Sequence, residues 1–186
     1  MHLAPPRPHT FRAVCLAAAL AAGMLTGLSM PVTAQKKAIS ATEKISALEI
    51  SARRLDSFQR GLAGTKKFGR LEFRGGLVLT SSDERFGGIS GLIIAPDGRR
   101  FLAITDQGHW LSAEIAYAGA APSGIEKARM GPILALNGRP LTRKRDADAE
   151  EIALLSGTLK SGVALVAFER NHRLVRHPVI DGALGR

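Results

Sequence analysis

The sequence predicts an all-β fold made of antiparallel hairpins behind an N-terminal signal helix. Three observations carry this. Apolar and polar residues alternate with period two over several short runs, the pattern of half-buried strands. Turn signals interrupt these runs about every 8 to 12 residues, a spacing that belongs to sandwiches, barrels and propellers. Two hairpins also share one plan, in which an apolar strand leads through a turn to a second strand ending on an acid.

The chain starts with a leader. His2, Arg7 and Arg12 form a basic region with no acid before Glu43. An apolar stretch runs from Ala13 to Leu28, and Val32-Thr33-Ala34 before Gln35 reads as a small-residue cleavage site. The competing reading is a retained membrane anchor. The run is Ala- and Gly-rich, a little short for a span, and lacks a charged stop-transfer cluster, so residues 1–34 are expected to be a secretory signal peptide. The expected localisation is periplasmic or secreted, with no stable membrane span after cleavage. Cys15 is the only cysteine and lies inside this leader. Arg12, three positions earlier, does not suit a lipid-anchor site. The mature chain is therefore expected to have no disulfide, no Cys-based zinc site and no Cys nucleophile.

Removing Arg7 and Arg12 takes the formal charge from +10 to +8. A basic exported chain suits anionic partners such as phosphorylated small molecules or envelope surfaces. Its positive residues are dispersed apart from Arg143-Lys144-Arg145, and no basic-aromatic interleaving suits base stacking, so nucleic-acid binding is not expected.

Residues 35–45 are polar and read as a flexible lead-in. At Leu48, Ile50 and Ala52 the pattern turns to period two, a strand in preference to a competing helix over 41–55. Gly61 to Gly69 is a loop. Arg70 to Arg74 and Gly76 to Thr80 are short strands, and Ser81 to Arg85 is a polar turn. Gly88 to Ala95 and Arg100 to Thr105 form a hairpin across Pro96-Asp97-Gly98, where Pro fixes φ and Gly accepts positive φ. Trp110 to Tyr117 is the next strand. Ala118 to Gly124 reads as a small-residue loop, and Gly131 to Asp148 as irregular with turns at Asn137-Gly138 and Arg139-Pro140. Glu151 to Leu155 and Val163 to Phe168 form the second hairpin. Leu174 to His177 is a further strand, followed by a Gly-rich tail. The acids ending the two hairpins, Asp106 and Glu169, are about 63 residues apart, somewhat long for one propeller blade.

The motifs Phe86-Gly87-Gly88-Ile89-Ser90-Gly91-Leu92, Pro96-Asp97-Gly98, Ile104-Thr105-Asp106-Gln107-Gly108, Asp148-Ala149-Glu150 and Phe168-Glu169-Arg170 resemble the phytase-like family, whose members are labelled esterase-like activity of phytase proteins. Phe68 to Phe73 followed by Gly75-Gly76-Leu77 resembles the family's opening, so the likeness covers about residues 46–176. The resemblance implies an exported β-propeller-like domain and, by similarity to calcium-dependent propeller phytases, hydrolysis of a phosphoric ester. Two departures stand out. Glu151 occupies a position where family members have Gly after Asp-Ala-Glu. The span 46–186 is also about half a family domain. It is expected to supply two or three blades of a ring that needs about four, a partial propeller from a truncated product or from a half that must associate.

Within that resemblance, Asp106, Asp148, Glu150 and Glu169 are the candidate metal ligands, because a hard cation such as calcium takes several oxygens at close range. Glu150 and Glu169 are the candidate catalytic residues. Arg170, His172 and Arg173 are the candidate substrate-binding residues, arginine clamping phosphate oxygens through its fork. The competing assignment is plainer: a turn at Asp106, a solvated loop at Asp148 and Glu150, and a local ion pair at Glu169-Arg170. Ser90 sits in Gly88-Ile89-Ser90-Gly91-Leu92, close to a nucleophile elbow, but Leu92 stands where glycine is required. The expected function is a metal-dependent phosphoric ester hydrolase. The alternatives are a non-catalytic envelope binding module and an inactive remnant.

Overall fold

The computed structural model describes residues 44–59, 61–62 and 64–186. The expected signal at 1–34 and most of the 35–45 lead-in lie outside the described residues. Among the described residues no helix is long and apolar enough to cross a membrane.

The period-two segment near Leu48 forms two strands, β1 (Ser46–Ala47) and β2 (Ser51–Leu55). No helix forms between residues 44 and 55. Leu48, between the two strands, is buried, and its N–H donates to the Ala128 carbonyl at 2.8 Å. A small hairpin, β3 (Lys67–Phe68) and β4 (Leu71–Glu72), precedes β5 (Gly76–Thr80), which pairs antiparallel with β2.

Two four-stranded antiparallel meanders follow. The first is β6 (Ile89–Ile94), β7 (Arg100–Thr105), β8 (His109–Ala118) and β9 (Ala121–Pro132), with β1 added at the β9 edge. The second is β10 (Ala149–Gly157), β11 (Ser161–Phe168), β12 (Arg173–Ile180) and β13 (Ala183–Leu184). A single helical turn, α1 (Lys144–Ala147), precedes β10. The fold is thus all-β with mostly antiparallel strands, as expected. Among the described residues the two meanders do not close into a ring.

The Pro96-Asp97-Gly98 turn forms as read. Gly98 has φ of 68°, and the Asp97 carboxylate accepts the N–H groups of Arg99 at 2.8 Å and Arg100 at 3.2 Å. Three other expectations change. Ala118 to Gly124 is no loop: only Gly119 and Ala120 lie outside β8 and β9, and Ala118 pairs with Ala121. β9 is the longest strand, 12 residues. Two register shifts against β8, and Lys127 at φ of 51°, break its alternation. The stretch called irregular contributes Gly131 and Pro132 to β9 and ends in α1. The Gly-rich tail also carries a strand, β13, paired through Val179 with Leu184 and Ile180 with Ala183.

β7 is buried from Phe101 to Thr105 because it is covered on both faces. Leu102 and Ile104 pack with Trp110 and Ile133 against Ile152, Ala164, Val166, Phe168 and Val179 of the second meander. Phe101 and Ala103 pack on the other face with Leu48, Leu111 and Met130. The meanders approach backbone to backbone at Gly91, where a Cβ would lie 2.8 Å from the Ile152 nitrogen. Ser90 Oγ donates to the Ala149 carbonyl at 2.6 Å across the same contact.

Candidate active site at the strand ends

The two hairpins that look alike in sequence repeat in backbone detail. Each first strand has a register shift just after it starts, between Ile89 and Gly91 and between Ala149 and Glu151. The N–H of Asp106 donates to the Gly88 carbonyl, and that of Glu169 to the Asp148 carbonyl, both at 2.8 Å. Gly88, Ser90 and Asp106 in the first meander therefore correspond to Asp148, Glu150 and Glu169 in the second. This placement brings the acids together.

Asp148, Glu150 and Glu169 each offer a carboxylate oxygen within 4.8 Å of the others, with Asp148 buried and the two glutamates exposed. Asp106 joins this group through Lys144. The Lys144 ammonium donates to the Asp106 carbonyl oxygen, to Asp106 Oδ2 at 3.1 Å and to Asp148 Oδ1. The other Asp148 oxygen accepts Arg170 Nε at 2.5 Å.

Charge in the cluster follows from these partners. Burial would raise the Asp148 carboxyl, but hydrogen bonds from Lys144 and Arg170 outweigh it and hold the group below the usual carboxylate range. Burial would likewise lower Lys144, but its bonds to Asp148 and Asp106 leave it raised. Glu150 is pushed up, first by desolvation and then by the negative charges of Asp148 and Glu169. Such a carboxylate holds a proton more readily than an ordinary glutamate, and a cation beside it would relieve the repulsion.

The candidate substrate groups divide. Arg170, in the turn after β11 with φ of 55°, spends Nε on Asp148. His172 is exposed in the same turn. Arg173 turns away to α1: its guanidinium donates to the Asp146 carbonyl and to the Asn171 carbonyl at 2.9 Å, and lies 3.8 Å over the Phe168 ring. Neither His172 nor Arg173 forms an ion pair with the four acids. Ser90 donates its hydroxyl to a backbone carbonyl, which matches its plainer role at the start of a strand.

Lys144 is the residue that sequence reading missed. The Arg143-Lys144-Arg145 cluster was visible, and Lys144 stands four positions before Asp148, the spacing of a helical ion pair. The helix that makes the spacing meaningful has only 4 residues, too few to show a period.

The three acid oxygens are of the type a hard cation takes and would supply part of its about six to eight oxygen ligands. Glu150 and Glu169 are open to solvent, whereas Asp148 already carries two cationic partners. Residues 84–186 match the family model described as Phytase-like: Esterase-like activity of phytase. No curated protein and no solved structure matches the chain.

Proposed function

The chain belongs to the phytase-like family, and on that premise we propose that it is an exported, calcium-dependent hydrolase of a small phosphorylated substrate. The observation that supports this reading is the convergence of Asp148, Glu150 and Glu169 at matched strand ends. Glu150 and Glu169 would hold the ion, with Asp148 behind them. The ion would supply positive charge against the phosphoryl oxygens and a more acidic bound water.

The chain's own residues do the rest. Lys144 and Arg170 keep Asp148 ionised and fixed. Arg170, with Nε on Asp148, keeps its terminal nitrogens for a phosphate oxygen. His172 is exposed beside it for a further hydrogen bond to substrate. Glu150, raised only while no cation offsets Asp148 and Glu169, would be ionised beside the ion and is suited to take a proton from the water that the ion activates. Arg173 acts indirectly, by tying β12 to α1 and so fixing the turn that carries Arg170. The signal at 1–34 would place this chemistry in the periplasm or outside the cell.

The test is phosphate release by the purified chain from a phosphoric ester, with calcium and with chelator. Release that needs calcium and falls at least tenfold in Glu150→Gln is expected. A cooperatively folded chain that releases nothing in either condition overturns the enzyme reading. The second reading, a non-catalytic binding module, draws on Asp148 being already matched by Lys144 and Arg170. It requires that calcium leave the melting temperature unchanged.

A further inference from the structure

We propose that the cleft between the two meanders, at the strand ends opposite the carboxylates, is a second site that binds a phosphoryl group. The cleft has a volume of about 630 Å³. β7 runs from Arg100 at the cleft to Asp106 at the carboxylates, and β11 runs from the Lys160 turn to Glu169. At about 3.3 Å per residue, β11 alone separates the two ends by roughly 25 Å.

One wall is the face of β8 and β9. Ser112 and Arg129 are direct cross-strand partners, so both side chains lie on one face and line the cleft. The other wall is two turns of the second meander, tied by backbone bonds from Asp181 N–H to the Lys160 carbonyl at 2.8 Å and from Gly182 N–H to the Leu159 carbonyl at 2.7 Å. Gly182, at φ of 78°, is packed on Ser112: a Cβ there would lie 2.3 Å from Ser112 Oγ. Glycine is what keeps this hydroxyl in the cleft.

The charges sort into matched and unmatched. Lys127 is paired with Glu114 at 3.0 Å and Arg100 with Asp97 at 2.9 Å. Arg129 donates to the Asp181 carbonyl oxygen, which aims its guanidinium, yet among the described residues neither Arg129 nor Lys160 has a carboxylate within 4.0 Å. The Ser112 hydroxyl likewise has no hydrogen-bond partner there. A guanidinium fork, an ammonium and a hydroxyl around one space are a donor set for the several terminal oxygens of a tetrahedral oxyanion. The Asp181 carboxylate is the one unmatched acid in the cleft, and it opposes the ligand. The net charge of +8 that remains without Arg7 and Arg12 raises the local concentration of anions at both sites.

The test titrates the full chain with inorganic phosphate in chelator at fixed ionic strength, followed by calorimetry. Lys160→Gln and Arg129→Gln should each weaken binding about tenfold. Asp181→Asn should tighten it several-fold, since asparagine suits the positive φ of 47° at that position. Glu150→Gln and Glu169→Gln should leave it unchanged, which separates this site from the proposed catalytic one. A parallel arm uses phosphatidylcholine vesicles containing phosphatidic acid. Sedimentation with these vesicles that is lost in Lys160→Gln identifies a lipid headgroup as the source of the phosphoryl group. Phosphate binding without sedimentation identifies a soluble ester. No binding of either probe overturns the proposal, as does phosphate binding indifferent to Lys160→Gln. Lys160 is exposed, so its replacement leaves the fold intact even if Arg129→Gln does not.

Discussion

The strand ends of the two meanders have one backbone and two characters. In the first, Gly88 leaves room that the Asp106 carboxylate fills: a Cβ on Gly88 would sit 2.0 Å from Asp106 Oδ1. In the second, Asp148 brings its own side chain to that position, and the equivalent of Asp106, Glu169, stands in solvent. Ser90 ties its meander to the next, while Glu150 at the same bulge is exposed. The first end therefore holds the fold together and the second presents charge. A repeated backbone fixes where side chains can converge, and side-chain identity decides whether they do so for packing or for chemistry.

The largest effect should come from breaking the contact that the first meander makes and the second does not. In Gly91→Val the added side chain meets the backbone of β10 at Ile152 and Glu151, where nothing can yield. The expected loss is about 3 kcal/mol, a fall in melting temperature of roughly 10 °C. Glu151 is the equivalent residue and is exposed, but its carboxylate accepts the Ile152 N–H at 2.8 Å, so Glu151→Val should cost only about 1 kcal/mol. Equal effects at the two positions would refute the contrast between a packed and an exposed position.

Next in size is Lys144, which joins the two ends. Lys144→Met leaves the Asp106 and Asp148 carboxylates without the cation between them, and the Asp148 side chain is only 3% exposed. A cost of about 3 kcal/mol is expected by denaturant unfolding. Lys144→Met with Asp148→Asn should recover part of it, because the buried charge is then removed. A double variant no better than the single one would show that Lys144 acts through packing.

Lys144 also marks the limit of what the sequence disclosed. The hairpin at Pro96-Asp97-Gly98 was readable because proline and glycine dictate its turn and β7 is an unbroken apolar run. The second hairpin was readable for the same kind of reason. β9 was hidden by bulges at register shifts and by Pro122, Gly124 and Gly131, which break period two without breaking the ladder. Asp106, Asp148, Glu150 and Glu169 were found through the motif resemblance and the repeated plan. Their convergence rests on the backbone bonds to Gly88 and Asp148, which no spacing reveals. The closing of Asp148 by Lys144 and Arg170 needed the four-residue helix and a positive φ at Arg170, both local conformations without a periodic signature.

Acid should weaken the second meander in two stages. His177 is buried, its Nδ1 bonded to the Gly185 carbonyl at 3.0 Å, and burial pushes the imidazole below its usual value near 6.5. The unfolded chain takes up a proton that the folded chain resists, so stability is full above about pH 6.5 and declines below it. Asp148 is lowered in the folded state, so its contribution persists above the usual carboxylate range and is lost only as pH falls through the lower folded value. Melting curves from pH 7.5 downward should show the first stage abolished in His177→Gln, whose amide can still donate to Gly185. An unchanged first stage in that variant would assign the titration elsewhere.

The smallest effect is the sharpest comparison, because it sets Ser90 against Glu150 at one bulge. Ser90→Ala removes the hydrogen bond to the Ala149 carbonyl and should cost about 1 kcal/mol. It should not alter any shift in melting temperature produced by calcium. Glu150→Gln should do the reverse. It removes a charge that Asp148 and Glu169 repel, so stability without calcium should hold or rise slightly, while the calcium-dependent shift disappears. Both variants are read in the same pair of melts, with calcium and with chelator. If Ser90→Ala blunted the calcium response, or Glu150→Gln left it whole, the division between a packing end and a charged end would fail at the position where the backbone makes it most direct.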